Sequence, residues 1–100
     1  MVTLSVTRSR VAGVLNAAAD GFKTEPWEPY LNPLMTALDD AANCVPGKSS
    51  WGAGGTGIAA WDALEMYLGE WPGDWERRPG RTQVEVEAAL RGAAAKAVAA

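Results

Sequence analysis

The stretch Trp71-Pro-Gly-Asp-Trp-Glu-Arg-Arg-Pro-Gly-Arg-Thr-Gln-Val-Glu-Val86 does most to limit what this chain can fold into. Proline fixes φ and glycine accepts positive φ, so Pro72-Gly73 and Pro79-Gly80 each predict a turn. Thr82-x-x-Glu85 is a capping box, in which the threonine oxygen accepts from the Glu85 amide and the glutamate reaches back to the Thr82 amide. A last helix therefore starts there. It is predicted to run to about Val98, with Val86, Ala89, Leu90, Ala93 and Ala97 inward and an alanine-rich end, residues 96–100, that frays.

The preceding helices follow from periodicity and caps. Residues 1–6 alternate apolar and polar and read as an N-terminal arm. Thr7 or Ser9 caps a first helix to about Ala19, with Val11, Val14, Leu15 and Ala18 on one face. Asp20-Gly21 is expected to end it, the glycine taking the left-handed position. Pro26, Pro29 and Pro33 make residues 21–33 a constrained connection that holds Trp27 and Tyr30. A second helix begins near Tyr30 to Pro33, with Asn32 as cap, Pro33 in the first helical position and Leu34, Leu38 and Ala41 or Ala42 inside. Pro46-Gly47 closes it.

Glycine fills five of the eleven positions 47–57, which predicts a loop with no regular element. A third helix spans about Ile58 to Gly69, capped by Thr56. Trp61, Leu64, Leu68 and the following Trp71 form its apolar stripe, and Asp62, Met66 and Glu70 face away. Nineteen alanines favour helix, while isoleucine and phenylalanine, both β-formers, occur once each. The expectation is one all-α domain over residues 1–100, with about four helices joined by irregular Pro-rich and Gly-rich connections.

The net charge of −3 argues against general nucleic-acid affinity, which needs a basic footprint. Its distribution is uneven: residues 1–19 carry +2, residues 20–76 carry −8 and residues 77–100 carry +3. The single cysteine, Cys44, excludes an internal disulfide and fits a reducing compartment. No apolar run approaches 18 residues and no secretory leader is present, so a cytoplasmic, membrane-free protein is expected.

Several patterns resemble chemistry without its context. Ala42-x-x-x-x-Gly47-Lys48-Ser49 fits a relaxed phosphate loop, yet a helix precedes it and no parallel sheet can be built around it. Gly52-x-Gly54-x-x-Gly57 matches the dinucleotide fingerprint by letters, but no strand leads into it. A glycine loop running into a helix start, with Lys48 close by, still offers NH groups to an anion. Histidine is absent, which removes the commonest general base and metal ligand. Asp39-Asp40 and Asp62-Glu65 could pair in principle, but carboxylates on the helices of an acidic chain are ordinarily solvated. No catalytic residue, metal or cofactor is indicated.

Aromatic and basic residues carry what remains. Trp61 belongs to the core. Trp75 with Arg77, Arg78 and Arg81 has the composition of a binding hot spot, and equally that of a cation–π staple inside a small domain. Trp51, in the glycine loop, has no periodic face to join. The candidate binding residues are Trp75, Arg77, Arg78, Arg81, Trp51 and Lys48.

Trp75-Glu-Arg-Arg-Pro79-Gly80-Arg81-Thr82-x-x-Glu85-Val86 resembles the C-terminal signature of an uncharacterised family of small proteins from actinobacteria and their phages. Members of that family read approximately Trp-Asn-Asp-x-Pro-Gly-Arg-Thr-x-x-Glu-Val. Val14-Leu15-x-x-Ala18-Ala19 is similar to their first helix, and Ala37-Leu38-x-x-Ala41 to a central one. Glu76-Arg77 stands where the family has Asn-Asp, and Pro33 and Thr36 stand where it has cysteine and glycine. The resemblance implies an actinobacterial or phage source, hence a host cytoplasm if phage-encoded, and the family carries no established activity to transfer.

The expected function is a non-enzymatic accessory module that binds a host or phage protein. The alternatives are a binder of small anionic ligands or nucleotides between 47–57 and 72–82, and a homo-oligomeric structural protein.

Overall fold

The computed structural model describes residues 2–43 and 56–99, and among them the chain is all-α. Its helices are α1 (Val2–Gly21), α2 (Leu34–Asn43), α3 (Thr56–Leu68), α4 (Pro72–Glu76) and α5 (Gln83–Ala99). The long helices α1 and α5 pack along each other, and α2 and α3 complete the layer around α1. The short α4 bridges α3 and α2.

The core is built from leucines against alanines. Leu15, Leu34, Leu38, Leu64 and Leu90 are fully buried, one or two from each main helix. Each stabilises the fold by about 1.5–3 kcal/mol relative to exposure. Ala18 and Ala19 of α1 and Ala89, Ala93 and Ala94 of α5 are buried as well, so the two backbones approach closely. Phe22 closes one end of this core at 1% exposure.

Several boundaries differ from expectation. α1 begins at Val2, so residues 2–6 are helical and form no separate arm. Its far end is no left-handed glycine cap: among the described residues only Gly69 and Gly80 have positive φ. Instead the chain tightens into successive turns, with the Phe22 amide on Ala19 O and the Lys23 amide on Asp20 O, and swings Phe22 inward. α3 starts at Thr56 and ends at Leu68, where Gly69 at φ 77° donates its amide to Glu65 O at 2.9 Å.

Pro72-Gly73 is not a turn but the first turn of α4, with proline at a helix-compatible N-terminal position. Pro79-Gly80 is a turn, with Gly80 at φ 86°. The capping box forms as expected: the Thr82 amide donates to Glu85 Oε1 at 2.9 Å and the Glu85 amide to Thr82 Oγ1 at 3.3 Å. α5 then continues to Ala99.

The largest correction concerns α2. Asn32 does not cap it, because its Nδ2 donates to the carbonyls of Glu25 and Pro26 at 2.7 and 3.2 Å. Pro33 supplies the first helical acceptor, taking the Ala37 amide at 3.0 Å, and α2 proper starts at Leu34. The Leu34 amide donates to Glu76 Oε2 at 3.0 Å, and the Trp27 indole NH donates to the same oxygen at 3.0 Å. Glu76 is 2% exposed and is the one buried charged side chain among the described residues. A carboxyl group from α4 thus caps α2 and pins the proline-rich connection at once.

Candidate functional site

Of the Trp75 cluster, the structure brings Arg81 onto Trp75, and it does so for construction. The Arg81 guanidinium lies over the Trp75 ring, 3.9 Å from its centroid. Arg81 Nε also donates to Trp75 O at 3.1 Å, and the guanidinium faces Glu85 at 3.7 Å. The Pro79-Gly80 turn folds the chain back so that a residue six positions on meets the ring. Arg81 is therefore a staple that fixes α4 against the start of α5.

Arg78 points elsewhere and makes a two-pronged pair with Glu70. The hydrogen bonds and charge of Glu70 raise its pKa above the ordinary arginine value. The Arg77 side chain is exposed and has no hydrogen-bond or ion-pair partner among the described residues. Lys48 and Trp51 lie outside the described residues. Trp71 packs edge-on against Trp61, with ring centroids 6.0 Å apart and planes at 75°, and stays 44% exposed. Its ring lies over Gly73, where a Cβ would come within 2.5 Å of it.

A second surface is more open. Ala63, Met66 and Tyr67 of α3 face Ala93 and Ala97 of α5 across a depression of about 200 Å³, with Lys96 at its edge. Ala63, Met66 and Ala97 also line a neighbouring depression of about 300 Å³ that reaches Val11 and Arg8 of α1. The two are continuous, making an apolar groove across α3, α5 and α1. Met66 is 79% exposed above it. Tyr67 lies across the groove with its ring against Gly92, so closely that a Cβ there would fall 2.5 Å from Cζ.

Sequence periodicity places Met66 on the face turned away from the apolar stripe, where it is exposed, but gives no sign of the groove beside it. The missed signal was alanine: Ala63, Ala93 and Ala97 are too small to fill the space between two helices, so the gap between them stays open.

Among the described residues no group of three or more side chains gathers as a metal site, and no helix is long and apolar enough to cross a membrane. No protein-family model, curated protein or solved structure matches the chain.

Proposed function

We propose that the chain is a non-enzymatic interaction module that receives an apolar helical segment of a partner protein in the α3/α5 groove. The supporting observation is the groove itself, apolar, open and crossed by Met66 and Tyr67. A flexible thioether over an alanine floor suits the apolar face of a helix, with Met66 adapting to the side chain it meets. Tyr67 contributes a broad rigid surface at small entropic cost.

Less supports a small anionic ligand at the arginines, because Arg78 and Arg81 already face carboxylates. The resemblance of Trp75–Val86 points to a host or phage protein as the partner.

The test is affinity capture from an actinobacterial lysate with the native chain and with Met66→Glu, followed by calorimetry on the purified partner. A protein bound stoichiometrically by the native chain and lost with Met66→Glu supports the proposal. Equal capture by both, or none by either, sinks it. A concentration-dependent mass in light scattering that Met66→Glu abolishes would replace the partner with a second copy of the chain.

A further inference from the structure

Apart from the groove, the proline-rich connection builds another surface. Glu28 and Asn32 pair through their backbones, the Asn32 amide on Glu28 O at 2.8 Å and the Glu28 amide on Asn32 O at 3.3 Å. The Glu28 side chain accepts the Tyr30 amide at 2.7 Å, and Asn32 ties the base of the turn to Glu25 and Pro26. This bracing holds two consecutive large apolar residues outward: Tyr30 is 75% exposed and Leu31 84%. An ordered turn that presents Tyr-Leu to water loses hydrophobic stabilisation and contributes nothing to the core. Such exposure marks a contact surface.

The turn ends on Asn32, which lines a pocket of about 180 Å³ between α1 and α2. Ala18, Phe22, Ala37 and Ala41 give the pocket an apolar, buried floor. Its polar rim is made of acceptors. The carboxylates of Glu25 and Asp40 stand on it, and neither has a hydrogen-bond or ion-pair partner among the described residues. The Asn32 amide nitrogen is already committed, so that side chain has only an oxygen left to offer.

An apolar floor beneath unpaired acceptors matches one kind of side chain, an aliphatic stem ending in a cation. The volume lies below the roughly 300–1,000 Å³ of small-molecule sites and suits a single side chain. Residues 20–43 carry five acids against Lys23, and although Asp20 is paired with Arg91 the surrounding field still draws in a basic segment. Exposed ion pairs are individually weak, so a free amine is held poorly here, whereas a side chain delivered by a larger apolar contact is held well.

Given the protein-binding function proposed above, we propose that this face docks a partner-protein segment that sets an apolar side chain on Tyr30 and Leu31 and a lysine or arginine into the α1/α2 pocket. The surface is separate from the α3/α5 groove, and either can be disabled alone.

The probe is a capped peptide of repeating Leu-Ser-Lys units, titrated at physiological salt into ¹⁵N-labelled protein and followed by amide chemical shifts. A Gln-for-Lys peptide and n-butylamine serve as parallel arms. Shifts are expected to cluster at Gly21, Phe22, Asn32 and Ala41, and to be lost with the Gln peptide. Asp40→Lys and Leu31→Ser, both exposed and therefore compatible with folding, should each weaken binding about fivefold. Met66→Glu should leave it unchanged. The inference is overturned by absent shifts, by shifts spread over all acidic residues, by equal binding of the Gln peptide, or by insensitivity to Asp40→Lys and Leu31→Ser. Equal shifts from n-butylamine would make the occupant a free amine and overturn it as well. If the peptide result holds while capture through the groove fails, the groove proposal alone falls.

Discussion

Glu76 Oε2 lies 3.0 Å from both the Trp27 indole nitrogen and the Leu34 amide nitrogen, so one buried oxygen joins three parts of the chain. Removing it leaves the buried Leu34 amide and the half-buried Trp27 indole NH without their acceptor. Glu76→Ala is expected to cost about 3 kcal/mol, lowering Tm by about 15 °C for a domain this size. Glu76→Gln keeps an acceptor and loses the charge, and should cost about 1 kcal/mol. Hydrogen exchange at the Leu34 amide distinguishes this cap from general loosening: it should accelerate in Glu76→Ala more than at Leu38, which lies one turn inside α2. Uniform acceleration along α2 would deny Glu76 the capping role.

Arg81 and Arg77 should behave oppositely although both are basic neighbours of Trp75. Arg81→Ala removes the stacked guanidinium and the Nε donor to Trp75 O. A loss of about 2 kcal/mol follows, read as a lower urea midpoint with unchanged slope. Arg81→Lys restores charge but neither the planar stack nor the Nε bond, and should recover less than half. Arg77→Ala should leave the midpoint in place, since the side chain is exposed. A destabilised Arg77→Ala or a neutral Arg81→Ala would reverse the assignment of the staple.

These two sites show what local sequence reveals. The Thr82/Glu85 capping box was legible because its donors and acceptors lie three residues apart. The Arg81/Trp75 stack was legible as a pairing because one tight turn brings the two together, although its role stayed open. The α2 cap was illegible: its carboxyl group comes from Glu76, 42 positions from Leu34. No periodicity signals that separation. α4 was hidden by Pro72-Gly73, which specifies a turn and a helix start equally well. The groove and the Tyr30-Leu31 turn depend on what does not pack, and spacing along the chain records only what can.

Asp20 ties α1 to α5 through Arg91, whose nitrogen lies 2.5 Å from its Oδ1. The hydrogen bond from Arg91 lowers the Asp20 pKa below its ordinary 3.8, outweighing the opposing effect of desolvation. A carboxyl group depressed in the folded state stabilises the fold at pH above the unfolded value, and that contribution fades as pH falls through the folded value. Native protein should therefore exceed Asp20→Asn in stability by a constant amount from neutrality to about pH 5. The difference should then shrink below pH 3.8 and vanish once Asp20 is protonated in both states. Urea melts of both proteins across that range supply the comparison. A gap that persists at the acid end would mean that the asparagine acts through packing and not through charge.

Gly92 separates stability from the groove. Alanine there gains about 1 kcal/mol of helix propensity in the interior of α5. Its methyl group would occupy the space of the Tyr67 phenol, which must move away. Tyr67 is 43% exposed and sits at the end of a rotatable side chain, so it can swing outward without disturbing Leu64 or Leu90 in the core. Gly92→Ala should accordingly show an equal or slightly higher Tm. The ring-current shift of the residue-92 Hα should disappear at the same time. With Tyr67 displaced, a partner held in the groove should bind about tenfold more weakly, comparable to the loss of one contact of hot-spot size. A lowered Tm with the ring-current shift retained would mean that α5 has moved and Tyr67 has not. The groove would then be a rigid part of the packing and not an adaptable surface.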